Sequence, residues 1–252
     1  MATQLPLQNS VSFITGASSG IGKATGHALA HDGADVALLA RREERLRSVA
    51  AEIEDEHDVE TLIIPADVGD ESQVEAAIDL TVDTFGRIDV VVSNAGVPGS
   101  DNQPLPEVDL EDYRTLMRVN VDGTFYVAHN AIPHLADVGG NLIFVGSFDG
   151  HYPRTRSPTY AASKWWVRGF AHSLAGPAGE QGIGVTVVNP AKVRTEIGRS
   201  GEPSFKERFE PGEVLEPSDV AQAIAFAARQ ERRATISELD IYTRDKYSRE
   251  GF

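Results

Sequence analysis

Residues 10–22 read SVSFITGASSGIG. The first half is a nearly continuous apolar run, the signature of a strand buried on both faces. The second half carries Gly16, Gly20 and Gly22, spaced G-x3-G-x-G, and Ile21, Ala24, Ala28 and Leu29 then recur at helical spacing. A strand, a glycine turn and a helix in that order open a βαβ unit. Such a turn suits a pyrophosphate. Positive φ and close backbone approach both call for glycine, and the helix N-terminus offers free N–H groups to an anion. A glycine triplet alone says little; its place between strand and helix points to a dinucleotide.

Working outward, the alternation repeats. Apolar runs stand at 35–40 (DVALLA), 59–66 (VETLIIPA), 88–93 (IDVVVS), 141–147 (NLIFVGS), 184–189 (GVTVVN) and 236–243 (ISELDIYT). Leu46, Val49, Ala50 and Ile53 mark one helix face between them, and Val74, Ala77, Ile78 and Phe85 another. The pattern predicts an α/β Rossmann-type fold, a doubly wound parallel sheet of about seven strands flanked by helices. No composition break, repeat or low-complexity segment divides the chain, so 1–252 is expected to form a single domain. Two stretches follow strand ends, where such sheets bind ligands: 97–106 (VPGSDNQPLP) and about 192–213, the second expected to be a substrate lid.

The 252 residues include 23 Lys+Arg against 38 Asp+Glu, a formal net charge of −15. A surface this acidic repels phosphate backbones, so nucleic acid is not an expected partner. No apolar run approaches the roughly 18–20 residues that span a bilayer, so no membrane partner is expected either. The N-terminal MATQLPLQNS has neither the basic region nor the apolar stretch of a secretory signal. With no cysteine there is no disulfide framework and no thiolate metal site, and no metal is expected. These features together predict a cytoplasmic protein. Five basic residues are lysines: Lys23, Lys164, Lys192, Lys206 and Lys246. Many acids with few lysines fit a salt-adapted protein whose self-repulsion needs screening; they fit as well an acidic protein from a GC-rich genome, which favours arginine.

In a dinucleotide-binding βαβ unit an acid about twenty residues past the glycines holds the adenosine ribose 2′-hydroxyl. Here the second run ends at Ala40 and no acid stands there; Arg41 and Arg42 follow. A guanidinium pairs with a 2′-phosphate where a carboxylate repels it, so NADP (NADPH) is the expected cofactor and NAD the alternative. Arg41 is the first choice for the phosphate, because it directly follows the position the acid would take, and Arg42 is the second, because Glu43 and Glu44 can tie it up. The competing reading makes both arginines surface charges ahead of a helix.

SPTYAASKWWVRGFAHSLA at 157–175 reads as a helix, and Tyr160 and Lys164 share a face of it. A tyrosine that exchanges protons near neutrality needs its pKa of roughly 10 lowered. A fixed ammonium nearby does that by favouring the phenolate.

TGASSGIG (15–22), SNAG (93–96), Asn120, GS (146–147), YAASK (160–164) and NPAKVRT (189–195) stand in the order and spacing of the short-chain dehydrogenase/reductase (SDR) family. The chain resembles that family from about Ser10 to Thr243. The resemblance implies Tyr160 as general acid/base and Ser147 as the hydroxyl that orients and stabilises the substrate oxygen. It implies that Lys164 holds the nicotinamide ribose and depresses the tyrosine pKa, and that Asn120 extends a water relay. For the cofactor it implies the loop residues Gly16, Ser18, Ser19, Gly20, Ile21 and Gly22. Asp67 and Val68 would cap the adenine, Asn94, Ala95 and Gly96 would pack beside the ribose, and Pro190, Val193 and Thr195 would contact the nicotinamide side. The implied reaction is hydride transfer between nicotinamide C4 and a small-molecule carbonyl or secondary alcohol, by a homodimer or homotetramer.

Two positions depart from the family pattern. Ser93 stands where an asparagine is frequent, and Ala191 follows Pro190 where glycine is usual, which predicts strain if that position needs positive φ. Asp149, His151, Arg154 and Arg156, with Lys192 and Arg194 near the lid, suggest a polar or acidic substrate. Trp165 and Trp166 read as packing or subunit-interface residues. An idle NADP-binding sensor on the same fold is the reading from another class; retention of Tyr160 and Lys164 argues against it.

Overall fold

The computed structural model of the protein describes residues 5–99, 104–155, 157–198 and 203–245. Arg156, Lys246 and the tail after it, and parts of the 97–106 and 192–213 stretches lie outside the described residues.

Seven strands form: β1 (Val11–Thr15), β2 (Asp35–Ala40), β3 (Thr61–Pro65), β4 (Val90–Ser93), β5 (Asn141–Val145), β6 (Gly184–Pro190) and β7 (Glu238–Ile241). Each lies within its apolar run except β6, which extends one residue further to Pro190. All pairings are parallel, in the order β3-β2-β1-β4-β5-β6-β7. The helices are α1 (Gly20–His31), α2 (Glu43–Glu56), α3 (Glu71–Phe85), α4 (Leu110–Met117), α5 (Gly123–Val138), α6 (Pro158–Gly179), α7 (Phe205–Arg208) and α8 (Pro217–Ala228).

Strand alternation sorts the core into two layers. Ile14, Leu38, Val92, Ile143 and Val188 face α1, α2 and α8, where Leu29, Leu46, Ile53 and Ile224 meet them. Phe13, Leu39, Val91, Phe144 and Val187 face α3, α5 and α6, against Val74, Ile78, Leu135 and Val167. The four apolar residues read on α2 are all buried. Ile21 and Ala24 of α1 are only partly buried, because each lines an open groove.

The sequence reading assigns no element to α4, α5 or α8. A π-helical turn, Arg118–Asp122, joins α4 to α5 and buries Asn120. Such a widened turn breaks the regular apolar spacing that a periodicity reading needs. At the rim of the first layer, buried Asp32 after α1 accepts from Arg229 Nε and Nη2 at 2.6 and 2.8 Å, tying α1 to α8.

The strand order reverses at β1. From there the chain runs outward through β2 and β3, then returns to β4 on the other side. The crevice beyond the carboxyl ends of β1 and β4 is the ligand position in such sheets.

Candidate active site

At that crevice the ends of β1 and β4 are stitched together. Thr15 Oγ1 accepts from the amides of both Asn94 and Ala95 at 3.0 Å, and Asn94 Nδ2 donates to Thr15 O at 2.8 Å. The loop glycines are required there. Gly16 (φ +68°) and Gly20 (φ +54°) occupy the left-handed region. A Cβ on Gly16 would lie 2.8 Å from Asn94 Nδ2, and one on Gly22 would run into the carbonyl of Gly16. The glycines let the loop pack tightly against Asn94 and against its own turn at the N-terminus of α1, and such a helix N-terminus favours an anion.

A cleft of about 700 Å³ begins beside this loop. Ser147, Tyr160 and Lys164 all line it, with Ile21, Asn94, Gly96, Pro190, Val193 and Thr195. Ser147 lies two residues past the end of β5 and its Oγ accepts from the amide of Asp149 at 3.1 Å, so it also caps a short 3-10 turn. Lys164 is buried on α6. Its Nζ donates to Val145 O at 2.9 Å and stands 5.9 Å from the centre of the Tyr160 ring. Burial pushes the Lys164 ammonium down to about 8, with the charge of Asp149 opposing. Gly150 makes room for the lysine: a Cβ there would lie 2.9 Å from Lys164 O.

Asn120 works on the chain around the cleft. Its Oδ1 accepts from Val97 N at 2.8 Å and its Nδ2 donates to Val97 O at 3.0 Å. The same Nδ2 donates to Ser163 Oγ at 3.2 Å, and Ser163 Oγ donates to Tyr160 O at 2.7 Å. Thr15, Ser163 and Asn189 fall inside the quoted motifs, but their bonding in this framework is not among the roles read from the sequence. Asn189 is fully buried under the cleft, donating to Glu238 and Asp240 of β7 at 2.6 and 3.0 Å. Thr15 and Asn189 bond to partners tens of residues away, which no local pattern marks.

The short chain dehydrogenase family profile matches residues 10–204. This chain belongs to the short-chain dehydrogenase family. It is similar to an uncharacterized oxidoreductase of Staphylococcus saprophyticus, 32% identical over 238 residues, with 93% of this chain and 97% of that protein covered. Among solved structures it is similar to an alcohol dehydrogenase from the archaeon Thermococcus sibiricus complexed with 5-hydroxy-NADP, with TM-score 0.84, 28% identity, and 96% and 99% of the two chains covered. It is also similar to the 3-ketoacyl-(acyl-carrier-protein) reductase of Brucella melitensis complexed with NADH, with TM-score 0.82, 30% identity, and 93% and 97% covered. The chain is thus a short-chain-type oxidoreductase.

In this short-chain dehydrogenase the two arginines after β2 part ways. Arg42 turns onto the glycine loop, donating to Ser18 Oγ from Nε and Nη2 at 3.2 and 2.9 Å and to Ser19 Oγ at 2.9 Å. Its Nη1 also reaches Glu196 at 3.3 Å. The expectation that Glu43 and Glu44 would occupy Arg42 is corrected: both pair with Arg47 one turn further along α2. Arg41 is exposed, and its charge acts on Asp67. Burial pushes the Asp67 carboxyl up, but the Gly69 amide and the Arg118 guanidinium outweigh it and hold the group low. Val68 is buried against Gly123.

The strain expected at Ala191 is absent. Asn9 is the one non-glycine residue with positive φ among the described residues, and Ala191 N donates to Ile241 O at 2.9 Å as an extension of the β6–β7 pairing. Thr195 is buried beside Gly20, whose added Cβ would meet its Cγ2 at 3.1 Å. The described parts of 192–213 pair with each other. Lys206 N donates to Thr195 O and Phe205 N to Ile197 O, at 2.9 and 3.0 Å. On the opposite wall Arg154 pairs with Asp149 at 2.7 Å and lies over the Phe148 ring. His151 turns instead to Glu238 and Asp240 at 3.2 and 3.0 Å. Trp166 stacks on Phe170, with ring centres 4.8 Å apart, while Trp165 is exposed.

Proposed function

We propose that this oxidoreductase uses NADP(H) to interconvert a small-molecule carbonyl and its secondary alcohol, with Tyr160 as general acid/base. The observation that carries the reading is the shared cleft of Ser147, Tyr160 and Lys164 beside an open glycine loop. Residues Gly16, Ser18, Ser19, Gly20, Ile21 and Gly22 would hold the pyrophosphate. Asp67 and Val68 would take the adenine, and Asn94, Ala95, Gly96, Pro190, Val193 and Thr195 the ribose and nicotinamide side. The tight turn that Gly16 and Gly20 make at positive φ, leading into the N-terminus of α1, fits a dinucleotide pyrophosphate. Bound there, the cofactor would supply or accept the hydride.

The protein's own part is proton handling and orientation. The Tyr160 hydroxyl gives a proton to the nascent alkoxide in reduction, and its phenolate takes one in oxidation. The Lys164 ammonium favours that phenolate and, being buried, acts through a medium that screens it poorly. Ser147 Oγ donates to the substrate oxygen as its charge grows. Asn120 holds the loop after β4 at Val97 and, through Ser163, the Tyr160 backbone.

NADP preference rests on Arg42 over the loop serines, with Arg41 as a second cation on the Asp67 side. An NAD(H)-dependent enzyme is the second reading, because Glu196 already engages Arg42 and competes with a 2′-phosphate. We further propose that 1–252 acts as one domain with 192–213 as its lid. The exposed Phe125 of α5 and Trp165 of α6 support assembly into a homodimer or homotetramer. A panel of carbonyls and alcohols, assayed with NADPH and NADH separately and repeated with Tyr160→Phe, tests the reading. Turnover favouring NADPH and lost in the variant supports it; undiminished turnover in the variant refutes it.

A further inference from the structure

A second groove, of about 850 Å³, runs from Ser18, Ser19 and Gly20 along α1 to His57. Lys23, His27 and His31 recur every fourth residue on α1, and Glu52 and Glu56 do the same on α2, so each set presents one face. Where the faces meet, His27 Nδ1 lies 3.1 Å from Glu56 Oε2, and His57 Nε2 lies 3.8 Å from that same oxygen. His27 Nε2 is buried without a hydrogen-bond partner among the described residues. Glu52 Oε2 is 3.6 Å from it and is held by Lys23 at 2.6 Å. The His31 ring stands edge-on to His57, 5.6 Å between centres. One nitrogen or oxygen from each of His27, Glu56 and His57 falls within 4.8 Å of the others.

We propose that His27, Glu56 and His57 bind one divalent first-row metal ion of the zinc class. Two imidazoles and a carboxylate are the donor set that suits zinc, cobalt or nickel, whereas magnesium and calcium favour all-oxygen shells. Three protein ligands leave a fourth position for water. Ligand atoms in a tetrahedral zinc shell stand about 3.3 Å apart, so the present spread must contract. The Glu56 side chain is the ligand with room to adjust. Glu56 is exposed, and His57 lies past the last turn of α2 on extended backbone (φ −138°, ψ 145°).

None of the three ligands lines the Tyr160 cleft, and a bound ion would clamp the end of α2 to α1, the helix that begins at the glycine loop. The expectation of no metal rested on the absence of cysteine; this ligand set forms only when α1 and α2 pack.

The test is titration of chelator-treated full-length protein with ZnCl2 by calorimetry, with thermal melts alongside. One ion per chain is expected, and a Tm rise of about 5–10 °C at a hundredfold excess over Kd. His57→Gln and Glu56→Gln are expected to weaken binding by roughly tenfold or more, with far-UV circular dichroism unchanged. CoCl2 is expected to give the strong visible absorption of a four-coordinate site in the wild type and to lose it in His27→Gln. Absence of binding, or equal affinity in all three variants, overturns the proposal. So does binding abolished by His151→Ala, because His151, Glu238 and Asp240 form the other cluster with ligand spacing among the described residues.

Discussion

Arg42 reaches back across the mouth of the glycine loop to Ser18, its Nε and Nη2 both donating to the serine Oγ at 3.2 and 2.9 Å. Ser18 is 7% exposed, so the guanidinium is anchored on one side while 46% of the Arg42 side chain remains open to a ligand. Arg42→Ala is expected to lower kcat/KM for NADPH by about tenfold to a hundredfold, the effect of losing one charge-assisted contact of about 1.5–3 kcal/mol. Arg41→Ala, an exposed charge, is expected to matter less. Steady-state kinetics with both cofactors checks this; equal losses with NADH and NADPH rule out a role in selection.

Tyr160→Phe keeps the ring that packs beside Lys164 and removes the proton. Turnover is expected to fall about 10²–10⁴-fold while NADPH affinity stays near wild type. Fluorescence titration of NADPH beside single-turnover rates separates the two effects.

Lys164 carries a pH signature. Its folded value is lowered to about 8, so the ammonium is present below that pH and lost above it. kcat/KM for NADPH is expected to decline as pH rises through about 8, and Lys164→Met to lack that limb. On stability the sign is opposite. Between about 8 and the unfolded value of about 10.4 the unfolded chain holds the extra proton, so the penalty of burying Lys164 eases as pH rises across that window. A cofactor-dependence profile flat from about pH 7 to 9 contradicts the assignment.

Asp32 is buried and depends on Arg229 for its charge balance. Arg229→Ala leaves that carboxylate uncompensated. The expected loss is about 2–4 kcal/mol, the lower part reflecting the partly exposed arginine. In a chain of this size it reads as a Tm drop of roughly 5–15 °C by calorimetry. A shift under about 1 °C means the pair contributes nothing.

Ala191 sits without positive φ, its amide bound to Ile241 O. Ala191→Gly is therefore expected to leave turnover within about threefold and to cost about 0.5–1 kcal/mol in stability, the backbone-entropy effect of glycine. A stabilised variant in a denaturant melt indicates strain at the alanine after all.

The sheet was legible because its information is local. Seven apolar runs contain or nearly contain the seven strands, and the four marked residues of α2 are all buried. The glycine spacing and the Tyr160–Lys164 repeat were equally readable, since turn chemistry and helix geometry act within a few residues. The α4–α5 region was not, because the π-helical turn at Arg118–Asp122 interrupts the spacing on which periodicity depends.

The sequence by itself determined the alternation of strands and helices, the glycine turn, and the shared helix face of Tyr160 and Lys164. Tertiary structure alone decided which arginine covers the loop, how deeply Lys164 is buried, that Asp32 meets Arg229 across 197 residues, and that the histidines of α1 meet His57. The reason is one of range. Backbone propensity is set by near neighbours, whereas burial, ion pairing and ligand geometry depend on where distant segments dock.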